Sequence, residues 1–419
     1  MSTTPYQFKT DVAIIGAGPA GAATSLFLAK KGIKHTLFDL AVFPRDKVCG
    51  DALSGKAVKI LKHIDSQFVA DMQSQKNSFL DSWGITFIAP NGSSIDIPFK
   101  QNNAQAEEPP GFIAKRIDFD NFLINQLDAN FTEMHLGTRV TDLVQSDEGI
   151  EIHYQTNGEA KKALAKMIVG AEGSRSIAAR KLAGHTGDPN HFCSAIRGYY
   201  KNVKGNHPQN FIELYFLEQV LPGYFWIFPL PNNMANVGVG VLSANVKKKN
   251  LNLKEALQKV IAEHPMLKER FKEAELVGGI SGWGLPLGSR RRNLSGERFL
   301  LVGDAASLID PFSGEGIGNA LVSAMIGAEV IETAVSRQDF SKSTLEVYDR
   351  LLYEKLWDEL KLSYIMQRLG QVRWLFNLVV NRAKKSQTLR DTISCMFEDL
   401  NMRAMLRSPA FYLRLLFNL

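Results

Sequence analysis

Cysteine is scarce in this sequence of 419 residues, and the three cysteines, Cys49, Cys193 and Cys395, lie far apart. This spacing excludes a disulfide framework and a cysteine-rich zinc site, so each is expected to be a free thiol in a reducing compartment. No metal site is predicted. The sequence also lacks the composition of a disordered chain, because 45% of its residues are hydrophobic and 22% are charged.

Long apolar runs and targeting signals are missing as well. The first ten residues have no basic start followed by an apolar core, and no uninterrupted apolar run approaches the roughly 20 residues of a membrane-spanning helix. These features predict a cytoplasmic protein. Basic charge accumulates only near the end, where residues 361–419 contain 10 Lys and Arg against 3 Asp and Glu.

The first 40 residues are typical of a β-α-β unit that binds a dinucleotide. A Gly-rich turn joins an apolar strand to a helix, which lets backbone N–H groups approach a pyrophosphate. Its predicted cofactor-binding residues are Gly16, Gly18, Pro19, Ala20 and Gly21. Asp39 ends the second strand, about 20 residues further on, where a ribose hydroxyl needs an acceptor.

A second Gly-rich turn, within residues 299–320, indicates that the dinucleotide is FAD. An apolar strand leads into Gly-Asp, and a proline and three glycines then open a helix. An aspartate here can accept a hydrogen bond from a ribityl hydroxyl, a group that NAD lacks, whereas a plain helix cap leaves the proline and glycines unexplained. The predicted residues are Gly303, Asp304, Pro311, Gly314, Gly316, Ile317 and Gly318.

Changes in periodicity along the chain predict an α/β protein with a Rossmann-type FAD-binding domain interleaved with an antiparallel-sheet substrate domain. Strand-like runs around Asn91-Gly92 indicate a hairpin, and residues 191–242 are rich in strands. The FAD-binding domain is expected at 1–80, 112–188 and 293–340, and the substrate domain at 81–111 and 189–292. A helical C-terminal region is predicted at 341–419.

Together with residues 169–180, VGAEGSRSIAAR, the two turns resemble the flavoprotein class that includes para-hydroxybenzoate hydroxylase. In that class the middle motif reads Gly-Ala-Asp-Gly and helps to hold the flavin's pyrophosphate region and a reductant. Here Glu172, followed by Gly173, replaces the usual aspartate. The resemblance implies that Arg116 lies near the flavin's phosphate or ribityl region, although an arginine at a helix start is equally a surface residue.

Two further motifs resemble those of the geranylgeranyl reductase family. Residues 43–51, FPRDKVCGD, contain Arg45, Cys49 and Gly50, which the resemblance places at the cofactor. The second motif, Tyr-x-Trp-x-Phe-Pro, is followed by Gly238 and Gly240. Its residues are Tyr224, Trp226, Phe228 and Pro229, expected to bind substrate.

The resemblance gives these residues specific roles. It places Cys49 beside the flavin ring, where a thiol can supply the proton that accompanies hydride transfer to a carbon–carbon double bond; a small buried hydrophobe is the alternative. Tyr224, Trp226 and Phe228 share one face of a strand, which suits a long apolar substrate or simply forms core.

The C-terminal region has two interpretations. Apolar residues recur near helical spacing among basic ones, and residues 411–419 are almost wholly apolar, as expected of a helix at an anionic membrane surface; a helical cap on the cofactor domain is equally consistent. The apolar positions are Leu362, Ile365, Met366, Leu369, Phe376, Val379 and Val380. Nucleic-acid binding is not expected, because aliphatic residues interrupt the basic ones.

The leading functional hypothesis is a reductase of isoprenoid chains on a lipid or quinone precursor, with FAD reduced by NAD(P)H or a ferredoxin-type protein. It would act in the cytoplasm, free or attached peripherally to the inner face of the membrane. A monooxygenase or halogenase of the same fold, acting on an aromatic substrate, is the alternative; a halogenase is expected to contain Trp-x-Trp-x-Ile-Pro. A flavin-bearing adaptor or redox sensor is a third hypothesis, and the sequence does not indicate an oligomeric state.

Overall fold

The computed structural model describes residues 5–99, 108–370, 373–386 and 390. In chain order the strands are β1 Lys9–Ile15, β2 His35–Phe38, β3 Ala52–Leu53, β4 Phe79–Ser82, β5 Gly84–Ile88, β6 Ser94–Pro98, β7 Gly111–Ala114, β8 Thr132–His135, β9 Thr138–Gln145, β10 Ile150–Thr156, β11 Glu159–Gly170, β12 Phe192–Lys201, β13 Ile212–Tyr215, β14 Tyr224–Leu230, β15 Met234–Leu242, β16 Glu275–Pro286, β17 Ser295–Gly296 and β18 Phe299–Leu301. The helices are α1 Pro19–Lys30, α2 Gly55–Ile64, α3 Gln67–Ser74, α4 Arg116–Ile124, α5 Ile177–Lys181, α6 Ser243–Lys249, α7 Leu253–Glu263, α8 Pro265–Arg270, α9 Ile317–Arg337, α10 Lys342–Leu345, α11 Val347–Leu369 and α12 Arg373–Ala383.

An eight-stranded sheet contains the predicted β-α-β unit. Strands β18, β11, β1, β2 and β8 pair in that order and in parallel, whereas β10 and β9 extend β11 as an antiparallel meander and β17 pairs antiparallel to β18. The apolar run of β1 is buried, as expected of a central parallel strand covered by helices. Both Gly-rich turns therefore follow the carboxyl ends of parallel strands, where open α/β sheets bind their ligands.

A seven-stranded sheet forms the second layer, in the order β16-β12-β15-β14-β13-β5-β6. Its pairs are antiparallel, as predicted, with one exception between β13 and β5. Strand β5 belongs to an earlier stretch of the chain, so no short hairpin, which would require an antiparallel pair, joins it to β13. The predicted hairpin joins β5 to β6, and Gly92 in its turn has a φ of +79°.

The predicted fold class is confirmed, and the two large sheets draw their strands from the predicted alternating segments. A small sheet of β3, β7 and β4 accompanies them, built from chain that the prediction divides between the two domains. The exact domain boundaries remain predictions.

Helix α11 packs as a cap on the cofactor half. The Tyr348 hydroxyl donates to the Leu301 carbonyl at 2.7 Å, and the Gln367 amide donates to the Pro311 carbonyl at 2.7 Å. The predicted apolar stripe is not the buried face of this helix, since Ile365 and Leu369 are 43% and 41% exposed. Residues 411–419 lie outside the described residues.

Among the described helices, α9 has the length and composition of a membrane-spanning segment. Its most apolar window is 78% buried inside the protein, between the other helices and the sheet. The same pattern is found in the core helices of globular domains.

Candidate functional site

A cavity of about 1210 Å³ lies between the two large sheets and receives both Gly-rich turns. Of the predicted site residues, those that line it are Gly16, Gly18, Pro19, Ala20, Asp39, Arg45, Cys49, Gly50, Arg116, Glu172, Gly173, Tyr224, Trp226, Phe228, Asp304, Pro311, Gly314, Gly316 and Ile317. Residues that are separated by up to 300 positions in sequence are thus brought to one site.

The first turn is shaped by glycines that leave no room for a side chain. A Cβ on Gly16, whose φ is +100°, would lie 2.4 Å from the Ala171 carbonyl oxygen, and a Cβ on Gly21 would lie 1.7 Å from the Gly16 oxygen. Gly21 itself does not line the cavity; it lets α1 start directly against β1. No side chain caps the start of α1, so its first N–H groups remain available to an anion.

Asp39 connects this turn to the next strand. One carboxylate oxygen accepts from the Ala17 N–H at 2.6 Å, and the other accepts from the Ala41 N–H at 2.8 Å. A carboxylate has further lone pairs beyond these two bonds, and Asp39 also lines the cavity. Its geometry fits the predicted ribose acceptor.

Two arginines converge beside the first turn. Arg116 forms a bidentate ion pair with Asp120 at 2.6 Å, and Arg45 donates to the same carboxylate at 2.6 Å. Both guanidinium groups lie within 4 Å of a Cβ built on Gly18. Burial would lower the pKa of Arg116, but Asp120 outweighs it and raises the pKa, so this group keeps its charge. Two cations against one anion leave a net positive charge, which suits a pyrophosphate.

The second turn approaches the cavity from the other side. Asp304, Pro311, Gly314 and the start of α9 line it. Gly303 does not line the cavity. A Cβ on this residue would lie 2.9 Å from the Cβ of Ala20, so the absence of a side chain lets the two turns pack closely. Gly318 is also outside the lining, because its N–H is bonded to the Glu315 carboxylate.

The unusual Glu172 caps a helix at the cavity wall. Its carboxylate accepts from the Ser176 hydroxyl at 2.7 Å and from the Ala178 N–H at 3.0 Å, at the start of α5. Burial raises the pKa of Glu172. The longer side chain thus reaches back to the helix, and its contact with a reductant remains a prediction.

An aromatic wall closes the substrate side. On β14, Tyr224, Trp226 and Phe228 face the cavity and pair across the strand with residues 240, 238 and 236. A Cβ on Gly238 would lie 2.2 Å from the Trp226 indole, which explains why an aromatic motif is followed by glycine.

The wall continues into an apolar arm of the cavity. This arm includes Ile85, Leu214, Phe216, Leu221 and Phe312. Pro229, predicted as a substrate residue, does not line the cavity, because successive side chains of a strand point to opposite faces.

Cys49 lies where the aromatic wall meets the cofactor turns. A Cβ on the adjacent Gly50 would be 3.0 Å from the Phe228 ring, so the loop packs directly on the wall. Burial raises the pKa of the Cys49 thiol, while the nearby Arg116 opposes that shift. The group is therefore a protonated thiol at neutral pH, suited to giving a proton rather than attacking as a thiolate.

Asp51 is a site residue that the sequence does not single out, although it ends the quoted run FPRDKVCGD. It is fully buried, lines the cavity and has a φ of +72°. One oxygen, Oδ2, accepts from the Tyr199 hydroxyl at 2.9 Å and from the Asn236 amide at 2.8 Å, whereas Oδ1 has no partner. Asn236 also donates to the Cys49 carbonyl at 2.7 Å.

Two Gly-rich turns, a pair of arginines beside the first turn and an apolar arm of the cavity are the features expected of a flavin-dinucleotide oxidoreductase. The sequence profile described as "FAD binding domain" matches residues 9–349, and the chain belongs to this family of FAD-dependent oxidoreductases. Its relatives include a protein named digeranylgeranylglycerophospholipid reductase, in agreement with the family resemblance of the sequence motifs.

Two curated relatives are similar over most of their length. A menaquinone reductase of Mycolicibacterium smegmatis is 30% identical over 80% of this chain and 79% of that protein. A digeranylgeranylglycerophospholipid reductase of Methanococcus vannielii is 29% identical over 86% of this chain and 87% of that protein.

The fold is shared with solved structures. A geranylgeranyl bacteriochlorophyll reductase-like protein from Thermoplasma acidophilum superposes with a TM-score of 0.80, at 23% identity, over 95% of this chain and 98% of that one. Flavin-dependent halogenases have the same fold at similarly low identity, so this likeness concerns the fold alone.

Proposed function

We propose that this flavoprotein reduces carbon–carbon double bonds of a geranylgeranyl-type chain carried by a lipid or a quinone precursor. The observation that supports it most is the aromatic wall of Tyr224, Trp226 and Phe228, which continues from Cys49 into an apolar arm of the cavity. An extended hydrocarbon can lie along such a surface with one double bond at Cys49. The names of the reductase relatives agree with this substrate class.

Different residues would bind the cofactor, supply the proton and exclude water. When bound and reduced by NAD(P)H or a ferredoxin-type protein, FAD supplies a hydride. Arg45, Arg116 and the uncapped start of α1 would hold its pyrophosphate, and Asp39 its ribose. Cys49 would give a proton to the other carbon of the double bond. The apolar wall would exclude water from the reacting atoms.

The proposal predicts anaerobic reoxidation of the reduced protein by its substrate. Dithionite-reduced protein is mixed with geranylgeranyl diphosphate or a geranylgeranylated glycerolipid, and the flavin absorbance and product mass are followed. We expect reoxidation together with a mass gain of two hydrogens for each flavin turnover. The fully saturated phytanyl analogue is the matched control, and it should leave the flavin reduced.

The opposite outcome would favour oxygen chemistry. If the flavin stays reduced with every prenyl compound, and an aromatic acceptor gains oxygen or halogen once air is admitted, the protein is a monooxygenase or halogenase. The sequence favours the reductase, because residues 224–229 read Tyr-Phe-Trp-Ile-Phe-Pro rather than the halogenase motif.

We also propose that the exposed end of α11 brings the protein to an anionic membrane. Ile365 and Leu369 are one helical turn apart and exposed, and Trp374, at the start of α12, is 67% exposed. Lys361 and Arg368 add positive charge in the same stretch of sequence. Apolar side chains flanked by cations are what binding to anionic headgroups requires.

Introducing a negative charge at this surface tests the membrane proposal. Trp374→Glu should weaken sedimentation with vesicles containing phosphatidylserine by roughly tenfold, since burying one large side chain contributes about 1.5–3 kcal/mol. Val42→Glu is the control, because Val42 is 66% exposed and lies in the loop after β2, far from Trp374 in sequence. Equal vesicle binding by the Trp374 variant and the wild type would refute attachment through this surface.

A further inference from the structure

The two carboxyl oxygens of Asp51 differ in their hydrogen bonding. Oδ2 accepts two hydrogen bonds, from Tyr199 and Asn236, so a proton on this carboxyl is placed on Oδ1, the oxygen without a partner. The side chain is fully buried, and the residue has a left-handed backbone conformation that non-glycine residues seldom adopt. Buried polar atoms without partners are rare in proteins, and they concentrate where function requires them.

We propose that Asp51 stores the proton that restores the Cys49 thiol after each reduction, an inference that rests on the proposed function. The two residues lie on one loop, with only Gly50 between them. Asn236 joins them, since its amide donates both to Asp51 Oδ2 and to the Cys49 carbonyl. Asp51 acts through Cys49 and is therefore a proton-supplying residue rather than one that touches the substrate.

Protons and electrons balance in this scheme. The π bond of the substrate would break, and one carbon would receive a hydride from reduced FAD while the other receives the Cys49 proton. The two electrons of the hydride would come from the donor, and its proton from the nicotinamide or, with a ferredoxin-type donor, from solvent. The resulting thiolate takes the proton from Asp51 Oδ1, and Asp51 takes another from solvent. Proton transfer from Asp51 to the Cys49 thiolate is favourable, because the thiolate is the stronger base. Burial raises the pKa of Asp51 only to about 7, whereas the thiol has a higher ordinary pKa, which burial raises further.

The charged and titratable groups around Asp51 set the direction of its pH dependence. Arg197 and Tyr199 approach from β12, Asn236 from β15 and Arg116 from α4, and their hydrogen bonds or positive charges favour the ionised carboxylate and oppose burial. Lys47 and Cys49 belong to the loop of Asp51 itself, and the charge of Lys47 acts on the Cys49 thiol. Asp51 delivers a proton only while protonated. The steady-state rate of prenyl reduction, measured over many turnovers with excess dithionite, should therefore fall about tenfold per pH unit above pH 7, whereas the first reoxidation of the flavin uses the proton already on Cys49.

Alkylation of Cys49 tests the link without substrate turnover. In a Cys193→Ser, Cys395→Ser background, the iodoacetamide rate should rise with pH and flatten near pH 7, because ionised Asp51 raises the pKa of the thiol. In the same background Asp51→Asn should abolish the flattening. Identical profiles with and without Asp51→Asn would overturn the proposal, whatever the substrate of the enzyme proves to be.

Tyr199→Phe is a milder variant that keeps the carboxyl. It removes a hydrogen bond that favours the ionised form, so the inflection in the steady-state rate should move to higher pH. Asp51→Asn should remove the inflection and slow repeated turnover roughly tenfold or more. Tyr200→Phe, the neighbour on the opposite face of β12, is the matched control and should keep the wild-type profile. An unmoved inflection in Tyr199→Phe would also refute the proposal.

Discussion

Replacing Gly21 with alanine is expected to abolish retention of FAD during purification. Its new Cβ would lie 1.7 Å from the Gly16 carbonyl oxygen, a backbone atom of the very turn that faces the pyrophosphate. One of the two must move, which separates the start of α1 from the turn. Flavin content per protein should fall at least tenfold, since a loss of only about 1.4 kcal/mol corresponds to that factor.

The effect of this substitution can be separated from helix propensity. Gly21 lies inside α1, where alanine is intrinsically favoured over glycine by roughly 0.5–1 kcal/mol, so any loss must come from the contact. Gly187→Ala is the matched control, because a Cβ there meets nothing within 4 Å. Flavin absorbance after gel filtration measures both variants. Normal flavin content in Gly21→Ala would mean that the turn tolerates displacement and does not hold the pyrophosphate.

The cofactor half of the site could be predicted because its determinants are local. Gly16, Gly18 and Asp39 belong to one strand-turn-helix-strand unit, whose backbone conformation demands these residue types wherever it occurs. The aromatic wall was also predictable, since alternation along β14 places three rings on one face. The same alternation points Pro229 away, so the motif contains one residue that shapes the strand without facing the cavity.

The surroundings of Asp51 could not be predicted from sequence because they depend on strand pairing. Asn236 reaches Asp51 only because β15 pairs with β14 in a register that sets it opposite Phe228. Tyr199 arrives from β12, on the other side of β15. Nothing in the local sequence of either residue indicates a catalytic environment; the available signal is the aspartate two positions after Cys49.

In the C-terminal region, the spacing of apolar residues does not predict which face of α11 is buried. The spacing of apolar residues leaves open whether their face packs on the protein or lies on a membrane; in the structure Ile365 and Leu369 are exposed, and polar Ser363 and Gln367 are buried. Gln367 is buried because the Pro311 carbonyl, in the second Gly-rich turn, needs a donor there. A hydrogen-bonding requirement of the cofactor turn thus outweighs the apolar stripe, which leaves that stripe available at the surface.

Replacing Cys49 with serine should slow reduction of the prenyl chain by about 10²- to 10⁴-fold, the contribution of a positioned general acid, while FAD binding stays unchanged. Serine preserves the packing but is a far weaker acid than the thiol. The measurement is the anaerobic reoxidation rate of the dithionite-reduced flavin, at saturating geranylgeranylated lipid.

Cys193→Ser supplies the matched comparison for this prediction. Burial raises the pKa of Cys193 to about 12, and its thiol contacts the carbonyl of Ser194. Both variants therefore lose a buried thiol. Of the two cysteines, only Cys49 adjoins Gly50, Arg116 and Asp51. Equal rates for the two variants would remove Cys49 from the reaction. Cys193 also lines the cavity, so a slow Cys49→Ser with a normal Cys193→Ser would assign the proton to the Cys49 thiol in particular.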